Sequence, residues 1–383
     1  MPDVYGGSDL SDVGVSLRGA DVLVTGGTGF IGGRLVERLL IECGARPRVL
    51  LRDYGRAASL ARFGLERIQL VKGGLSDAAA LQQAVEGCKV VFHCAYDRGG
   101  PKANMAGMEA LIGACLKNGA RLVHVSTFAT YEPLPDGDLT EDMKPVRSGI
   151  PYSEIKLDVE EAVKSRGLDA VIVMPTIVYG PYGKAWTLFP ASQLKTGTVL
   201  LPESGEGLCN AVHVDDVCQG MIRAAVVPGA KGRRYFLSGS APVTWGAYFQ
   251  ALADALGRPG PELLASAALD RKTTNPLSAL KLLLGDPKRI TRWGPVKGLA
   301  MWAKTRMTPA QKAKLKQVYG AYRTVAPAPV YTPAAQQMAL FKAKCRVLIG
   351  RAETELGYRP AYDFARGAKA TGEWLKWAMP SNE

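Results

Sequence analysis

The stretch Thr25-Gly-Gly-Thr-Gly-Phe-Ile-Gly32 decides how the rest of the chain is read. Gly26, Gly29 and Gly32 recur at every third residue. Directly before them, Asp21-Val-Leu-Val-Thr25 is a short apolar run with strand character. Directly after them, residues 32–43 carry Leu35, Val36, Leu39 and Leu40 at helical spacing. Glycine is needed where a turn is tight and where backbone must approach a pyrophosphate closely. The N-terminus of the following helix offers unpaired N–H groups and a partial positive charge to that anion. A glycine triplet alone says little, but between a first strand and a first helix it marks a dinucleotide-binding loop.

Outward from the loop, apolar runs and amphipathic segments alternate. Strands are expected at 48–51, 68–71, 90–93, 121–125 and 170–174, and helices at 77–86, 104–118 and 152–166. Strands that are apolar throughout and alternate with helices mean a parallel sheet covered on both faces. After Pro175 the pattern loosens, returning at 212–225 and 235–237. The expected fold class is α/β: a Rossmann-type doubly wound parallel sheet with a smaller, discontinuous, mostly helical C-terminal substrate lobe. The expected divisions are an N-terminal extension (1–18), an NAD(P)-binding domain (19–180 with 211–240) and the substrate lobe (181–210 with 241–383).

Two further features point to chemistry. The tip of the second strand, which reads the adenosine ribose in such folds, is Arg52-Asp53, with Arg56 close behind. An acid there accepts from both hydroxyls of NAD, whereas an arginine holds the 2′-phosphate of NADP. Both are present, and the two converging arginines favour NADP. Farther on, Tyr152-Ser-Glu-Ile-Lys156 places a phenol and an ammonium four residues apart on one helix face. A free tyrosine titrates near 10, and a neighbouring cation lowers that value. Such a phenol can pass a proton to or from a carbonyl or alcohol oxygen while hydride moves to or from a nicotinamide.

With these motifs the chain resembles the extended short-chain dehydrogenase/reductase superfamily, in its NAD-dependent epimerase/dehydratase branch. The resemblance covers roughly residues 21–240 and 351–377. It rests on TGGTGFIG at 25–32, VVFHCA at 90–95, HVSTFATY at 124–131, YSEIK at 152–156, MPTIVYGP at 174–181, AVHVDDV at 211–217 and the ending GYRPAYDFARGAKATGEWLKW. It implies that Tyr152 is the proton donor or acceptor, that Lys156 orients the nicotinamide ribose, and that Thr127 bonds the reacting oxygen, with Ser126 as the adjacent candidate. It further implies cofactor contacts from Gly26, Thr28, Gly29, Phe30, Ile31 and Gly32 at the loop. Leu75, Cys94, Ala95 and Tyr96 would lie along the adenosine side, Pro175 and Val178 beside the nicotinamide, and Asn104 would support the site. A homodimer is also implied.

The departures from the family pattern are informative. The Asp-Glu pair that follows the catalytic threonine in 4,6-dehydratases is replaced by Phe128 and Ala129, which argues against dehydration. Gly74, not an aspartate, precedes Leu75, and Met174 replaces the usual arginine before Pro175. Cys209-Asn210-Ala211 stands where many nucleotide-sugar enzymes carry the Arg of an Arg-Asp-Phe that helps hold the diphosphate. The leading functional reading is an epimerase or ketoreductase acting on a nucleotide-activated sugar. The alternatives are an NADPH-dependent reductase of a lipophilic, steroid- or acyl-like ketone at a membrane surface, and an NAD(P)-binding protein without turnover.

Composition sets the outer bounds. The 383 residues are enough to bury a core without disulfides or a structural metal. The chain has 48 basic and 35 acidic residues, a net charge of +13. Residues 271–351 hold 17 Lys or Arg and one acid, Asp286, so the remainder is near neutral. In that stretch Trp293, Trp302, Met307, Tyr319 and Tyr322 interleave with the charges. A solvated helical face, an anionic membrane surface and an anionic substrate each account for it. No nucleic-acid motif accompanies it. The seven scattered cysteines share no CxxC spacing, so neither a disulfide framework nor a zinc site is expected. His213, Asp215 and Asp216 suit a helix start better than a metal, and His93 and His124 read as satisfied core histidines. Met1 to Arg18 lacks the pattern of a signal peptide, and no run of 18 apolar residues occurs. These features point to a cytoplasmic protein, with peripheral membrane contact as an option.

Overall fold

The structure is a computed structural model that describes residues 10–265 and 329–380. Its centre is a seven-stranded, wholly parallel sheet. The strands are β1 (Asp21–Thr25), β2 (Arg46–Leu51), β3 (Gln69–Lys72), β4 (Val90–His93), β5 (Arg121–Val125), β7 (Ala170–Pro175) and β12 (Arg234–Leu237). Their spatial order is β12-β7-β5-β4-β1-β2-β3. The order therefore reverses between β1 and β4, and a crevice opens there at the carboxyl ends of the strands.

Alternation along the strands builds two cores. Val22 and Val24 of β1, Val49 of β2, Phe92 of β4 and Val123 of β5 pack with α2 (Phe30–Ile41) and α7 (Val214–Val226) on one face. Leu23, Leu50, Val91 and Leu122 point the other way, onto α3 (Ala78–Val85), α4 (Pro101–Asn118) and α5 (Pro151–Ser165). Burying both faces explains why the strands read as continuous apolar runs.

Three local features differ from the expectation. The first helix begins at Phe30, not Gly32, because Gly29 is already its N-cap. Residues 53–64 hold an unexpected 3-10 helix (Tyr54–Phe63). Within the presumed N-terminal extension, Leu10 and Leu17 are buried in the same core as Val22 and Val24, and Asp12 pairs with Arg223 of α7 at 3.0 Å.

Beyond β7 the chain forms short pairings. β8 (Ile177–Tyr179) lies parallel to β11 (Ala211–His213), and β6 (Gly137–Leu139) parallel to β16 (Cys345–Val347). The C-terminal part is mostly helical: α8 (Trp245–Ala255), α9 (Ala335–Lys342), α10 (Gly350–Leu356) and α11 (Phe364–Ala378). Trp245, Tyr248, Phe249, Phe341 and Phe364 form an aromatic cluster between them. Among the described residues, no helix is long and apolar enough to cross a membrane.

Of the basic stretch, residues 271–328 lie outside the described residues, including Trp293, Trp302, Met307, Tyr319 and Tyr322. The basic residues from Lys342 to Arg351 all bond to the chain itself. Lys342 meets Glu203, Lys344 donates to the Glu206 carbonyl at 2.8 Å, Arg346 pairs with Asp138 at 2.7 Å, and Arg351 pairs with Asp142.

Candidate active site

The glycine loop joins β1 to α2 at the crevice. Gly26 has φ +72°, a left-handed conformation that favours glycine, and a Cβ there would lie 2.9 Å from the Ala95 nitrogen at the end of β4. A Cβ on Gly32 would lie 2.4 Å from the Gly26 carbonyl oxygen. No side chain caps the start of α2, so its first N–H groups are left for a ligand. An uncapped helix end beside a loop that tolerates no Cβ fits the pyrophosphate of a dinucleotide.

Arg52, Asp53 and Arg56 are all exposed at the tip of β2. The Asp53 carboxylate accepts from Gly55 N at 3.0 Å and so caps the 3-10 helix that follows. Leu75 is buried against α4, where a Cβ on Gly107 would come within 2.8 Å of it. Asn104 works as a brace. Its Oδ1 accepts from Asp97 N, and its Nδ2 donates to the carbonyls of Asp97 and Gly100, which fixes the loop after β4. Cys94 and Ala95 are partly exposed at the end of β4, and Tyr96 presents its ring edge to Tyr152 at 5.4 Å between centroids. Pro175 ends β7, and Val178 sits in β8.

The reacting candidates meet between β5 and α5. Thr127 follows β5 and caps a 3-10 turn (Phe128–Tyr131), accepting from Ala129 N at 3.2 Å. Tyr152 stands in the first turn of α5, near enough to the Thr127 side chain for the threonine to favour the phenolate. Lys156, one turn along α5, is buried and donates to the Val125 carbonyl at 2.7 Å, with its Nζ 5.9 Å from the centre of the Tyr152 ring. Ser126 points elsewhere: its hydroxyl donates to the Glu160 carboxylate. Of the two neighbouring candidates, Thr127 is the one not tied to Glu160.

The electrostatics reverse one expectation. Burial of its hydroxyl end and the nearby Tyr96 push Tyr152 up to about 12, against Thr127, which lowers it. Lys156 is itself drawn down by burial, to about 8. Without ligand, Tyr152 is a neutral phenol carrying its proton at pH 7.

The histidines also need correction. His93 bonds Thr25 Oγ1 at 2.8 Å and stacks on His124, but both ring nitrogens of His124 are buried without a partner among the described residues. Burial holds His93 down to about 3 and His124 well below its ordinary value, with Lys156 adding to both. His213 stacks on Tyr362 at 4.1 Å, and burial draws it down to about 4. Asp215 forms an ion pair with Arg34 of α2 at 2.5 Å, while Asp216 accepts from the Ala361 and Tyr362 backbone and is pushed by burial up to about 7. Both aspartates thus tie α7 to its neighbours.

Sequence reading missed Glu160 and Arg234. Glu160 is buried on α5, 2.9 Å from Arg234 of β12, which in turn donates to the Tyr131 hydroxyl at 2.7 Å. The signal was present: Glu160 lies four residues beyond Lys156, on the same helix face.

Comparison with known proteins agrees with this geometry. The model of the NAD dependent epimerase/dehydratase family matches residues 22–237. The 4-hydroxy-2-methyl-3-oxo-4-farnesyl-3,4-dihydroquinoline-1-oxide ketoreductase of Stigmatella aurantiaca is 29% identical over 248 residues, covering 61% of this chain and 72% of that protein. A dTDP-glucose 4,6-dehydratase of Streptomyces niveus is 30% identical over 252 residues, covering 58% of this chain and 74% of that protein. In fold, the chain is similar to the crystal structure of a dTDP-glucose 4,6-dehydratase from Streptomyces venezuelae with NAD and TYD bound. The TM-score is 0.67 at 23% identity, covering 93% of this chain and 97% of that one. Since the family model spans more than half of the sequence, the chain belongs to the NAD-dependent epimerase/dehydratase family of extended short-chain dehydrogenases.

Proposed function

We propose that this protein is an NADPH-dependent ketoreductase of a lipophilic carbonyl compound. The observation that carries the reading is the placing of Thr127 and Tyr152 beside buried Lys156, at the carboxyl end of β5. Bound NADPH supplies a hydride. Tyr152, held protonated, donates to the carbonyl oxygen, and Thr127 hydrogen-bonds that same oxygen. Lys156 spends one of its three N–H donors on Val125 and keeps two for the cofactor ribose. Arg52 and Arg56 face solvent where a 2′-phosphate would lie, while Asp53 is occupied as a cap.

Cys209 supports the lipophilic class: a fully buried thiol stands where many nucleotide-sugar enzymes carry an arginine, and the next residue, Asn210, turns its amide to the Cys345 carbonyl and the Val347 N–H, both at 2.9 Å. Phe128 is a core residue, and with Ala129 it leaves no acid and base for removing water. The Stigmatella relative is itself a ketoreductase of a farnesylated quinoline. A second reading, epimerisation of a nucleotide sugar, has in its favour the Streptomyces niveus relative, named for dTDP-glucose.

The test is consumption of NADPH and NADH with aryl ketones and 3-oxoacyl esters, set beside UDP-glucose and dTDP-glucose. Ketone-dependent NADPH oxidation is expected. Interconversion of a nucleotide sugar without added reductant would replace this reading by the second. Tyr152→Phe should lower kcat by about 10²–10⁴-fold and leave NADPH affinity within about threefold. Turnover unaffected by that change would sink the mechanism.

A further inference from the structure

Three side chains on one face of α5 grip the segment that carries Thr127. The Ser153 hydroxyl donates to the Ala129 carbonyl at 3.0 Å, Lys156 holds the Val125 carbonyl, and Glu160 accepts from the Ser126 hydroxyl. Their spacing is three and then four residues, the rhythm of a helix face. Glu160 is the charged member that belongs to no assigned role. It is 1% exposed and lies 2.9 Å from Arg234 of β12 and 3.8 Å from Lys164, with Lys156 one turn back along α5.

We infer that Glu160 is a positioning residue of the active site, which fixes Thr127 through Ser126 and supplies the countercharge that keeps the Lys156 ammonium protonated. The inference rests on the reading of Tyr152 and Lys156 as the working pair. The groups facing Lys156 are Tyr152 and Glu160 of α5, His93 and Cys94 at the end of β4, and His124 of β5. Those facing Glu160 are Ser126 of β5, Lys164 of α5 and Arg234 of β12, with Tyr131 behind the arginine. Both histidines are held neutral, and burial holds the Cys94 thiol up at about 12, so at neutral pH Glu160 is the carboxylate among these groups. Burial lowers Lys156 to about 8, and Glu160 opposes that shift.

Glu160→Gln tests this, because the amide keeps the shape and an acceptor for Ser126 but removes the charge. NADPH affinity, followed by cofactor fluorescence from pH 6 to 10, should weaken at a basic midpoint set by Lys156. In Glu160→Gln that midpoint should move down by about one pH unit, and kcat with the ketone substrate should fall about tenfold. Ser126→Ala, which removes the hydrogen bond and not the charge, should lower kcat and leave the midpoint in place. Should Glu160→Gln fail to fold in a thermal melt, the double variant Glu160→Gln/Arg234→Gln removes the buried pair together and should move the midpoint in the same direction by less, since the lost arginine offsets part of the lost carboxylate. A folded variant with the wild-type midpoint and kcat within twofold would overturn the inference. Failure of the underlying reading looks different: Tyr152→Phe would keep its turnover.

Discussion

Gly32 and Arg52 stand at the two ends of the cofactor cradle and are held by opposite constraints. At Gly32 the backbone is so close that Gly32→Ala would drive a methyl into the Gly26 carbonyl. The expected cost is about 1–3 kcal/mol of stability with loss of cofactor binding, read by urea unfolding and by cofactor titration. Arg52 and Arg56 are exposed, and only charge complementarity with a ligand constrains them. Replacing both by Ala should weaken NADPH about tenfold relative to NADH, since each contact with a phosphate is a charge-assisted hydrogen bond. Equal loss for both cofactors would remove the preference for NADP. The residues of the candidate site were legible because glycine spacing and the Tyr152–Lys156 interval are local. The motif already placed Thr127 ahead of Ser126; what it did not show is the partner of Ser126, Glu160, which lies 34 residues away. Spacing also shows a neighbouring charge but not burial, and burial is what raises the Tyr152 phenol here.

At the scale of elements, the long parallel strands announced themselves by being apolar on both faces. The short ones did not. β6 and β16 are three residues each and pair across about two hundred residues of chain, so neither carries a periodicity of its own. What secures β16 is Asn210, a single buried amide with both its donor and acceptor used. Asn210→Ala leaves the Cys345 carbonyl and the Val347 N–H without partners. It should cost about 1–3 kcal/mol in urea unfolding, and a change of under half a kcal/mol would show that water replaces the amide. The 3-10 helix after β2 was missed because its start is set by one side-chain cap, Asp53 on Gly55, in a segment with little apolar periodicity.

For the molecule as a whole, the net charge of +13 is a poor guide to what the described residues do. Every basic side chain from Lys342 to Arg351 is tied to the chain's own acceptors. The histidines have the wider consequence. The sequence contains three, and all are buried. In the unfolded chain each takes up a proton near pH 6.5, but in the fold His93 stays neutral to about 3 and His213 to about 4, with His124 also depressed. Between about pH 6.5 and 4 the unfolded chain therefore binds more protons, so stability is present above 6.5 and lost as pH falls. Asp216, raised to about 7, acts in the opposite sense and offsets one of the three. The net slope should be about 3 kcal/mol per pH unit, measured by urea unfolding at pH 4.5, 5.5 and 6.5, and a flat profile would contradict the buried-neutral assignment. With all seven cysteines at least partly buried as well, no imidazole remains on the outside to change charge near neutrality. Between about pH 7 and 5.5, above the range where carboxylates take up protons, the outward charge would hardly change while the interior loosens, so there it is the fold, not the surface, that registers a drop in pH.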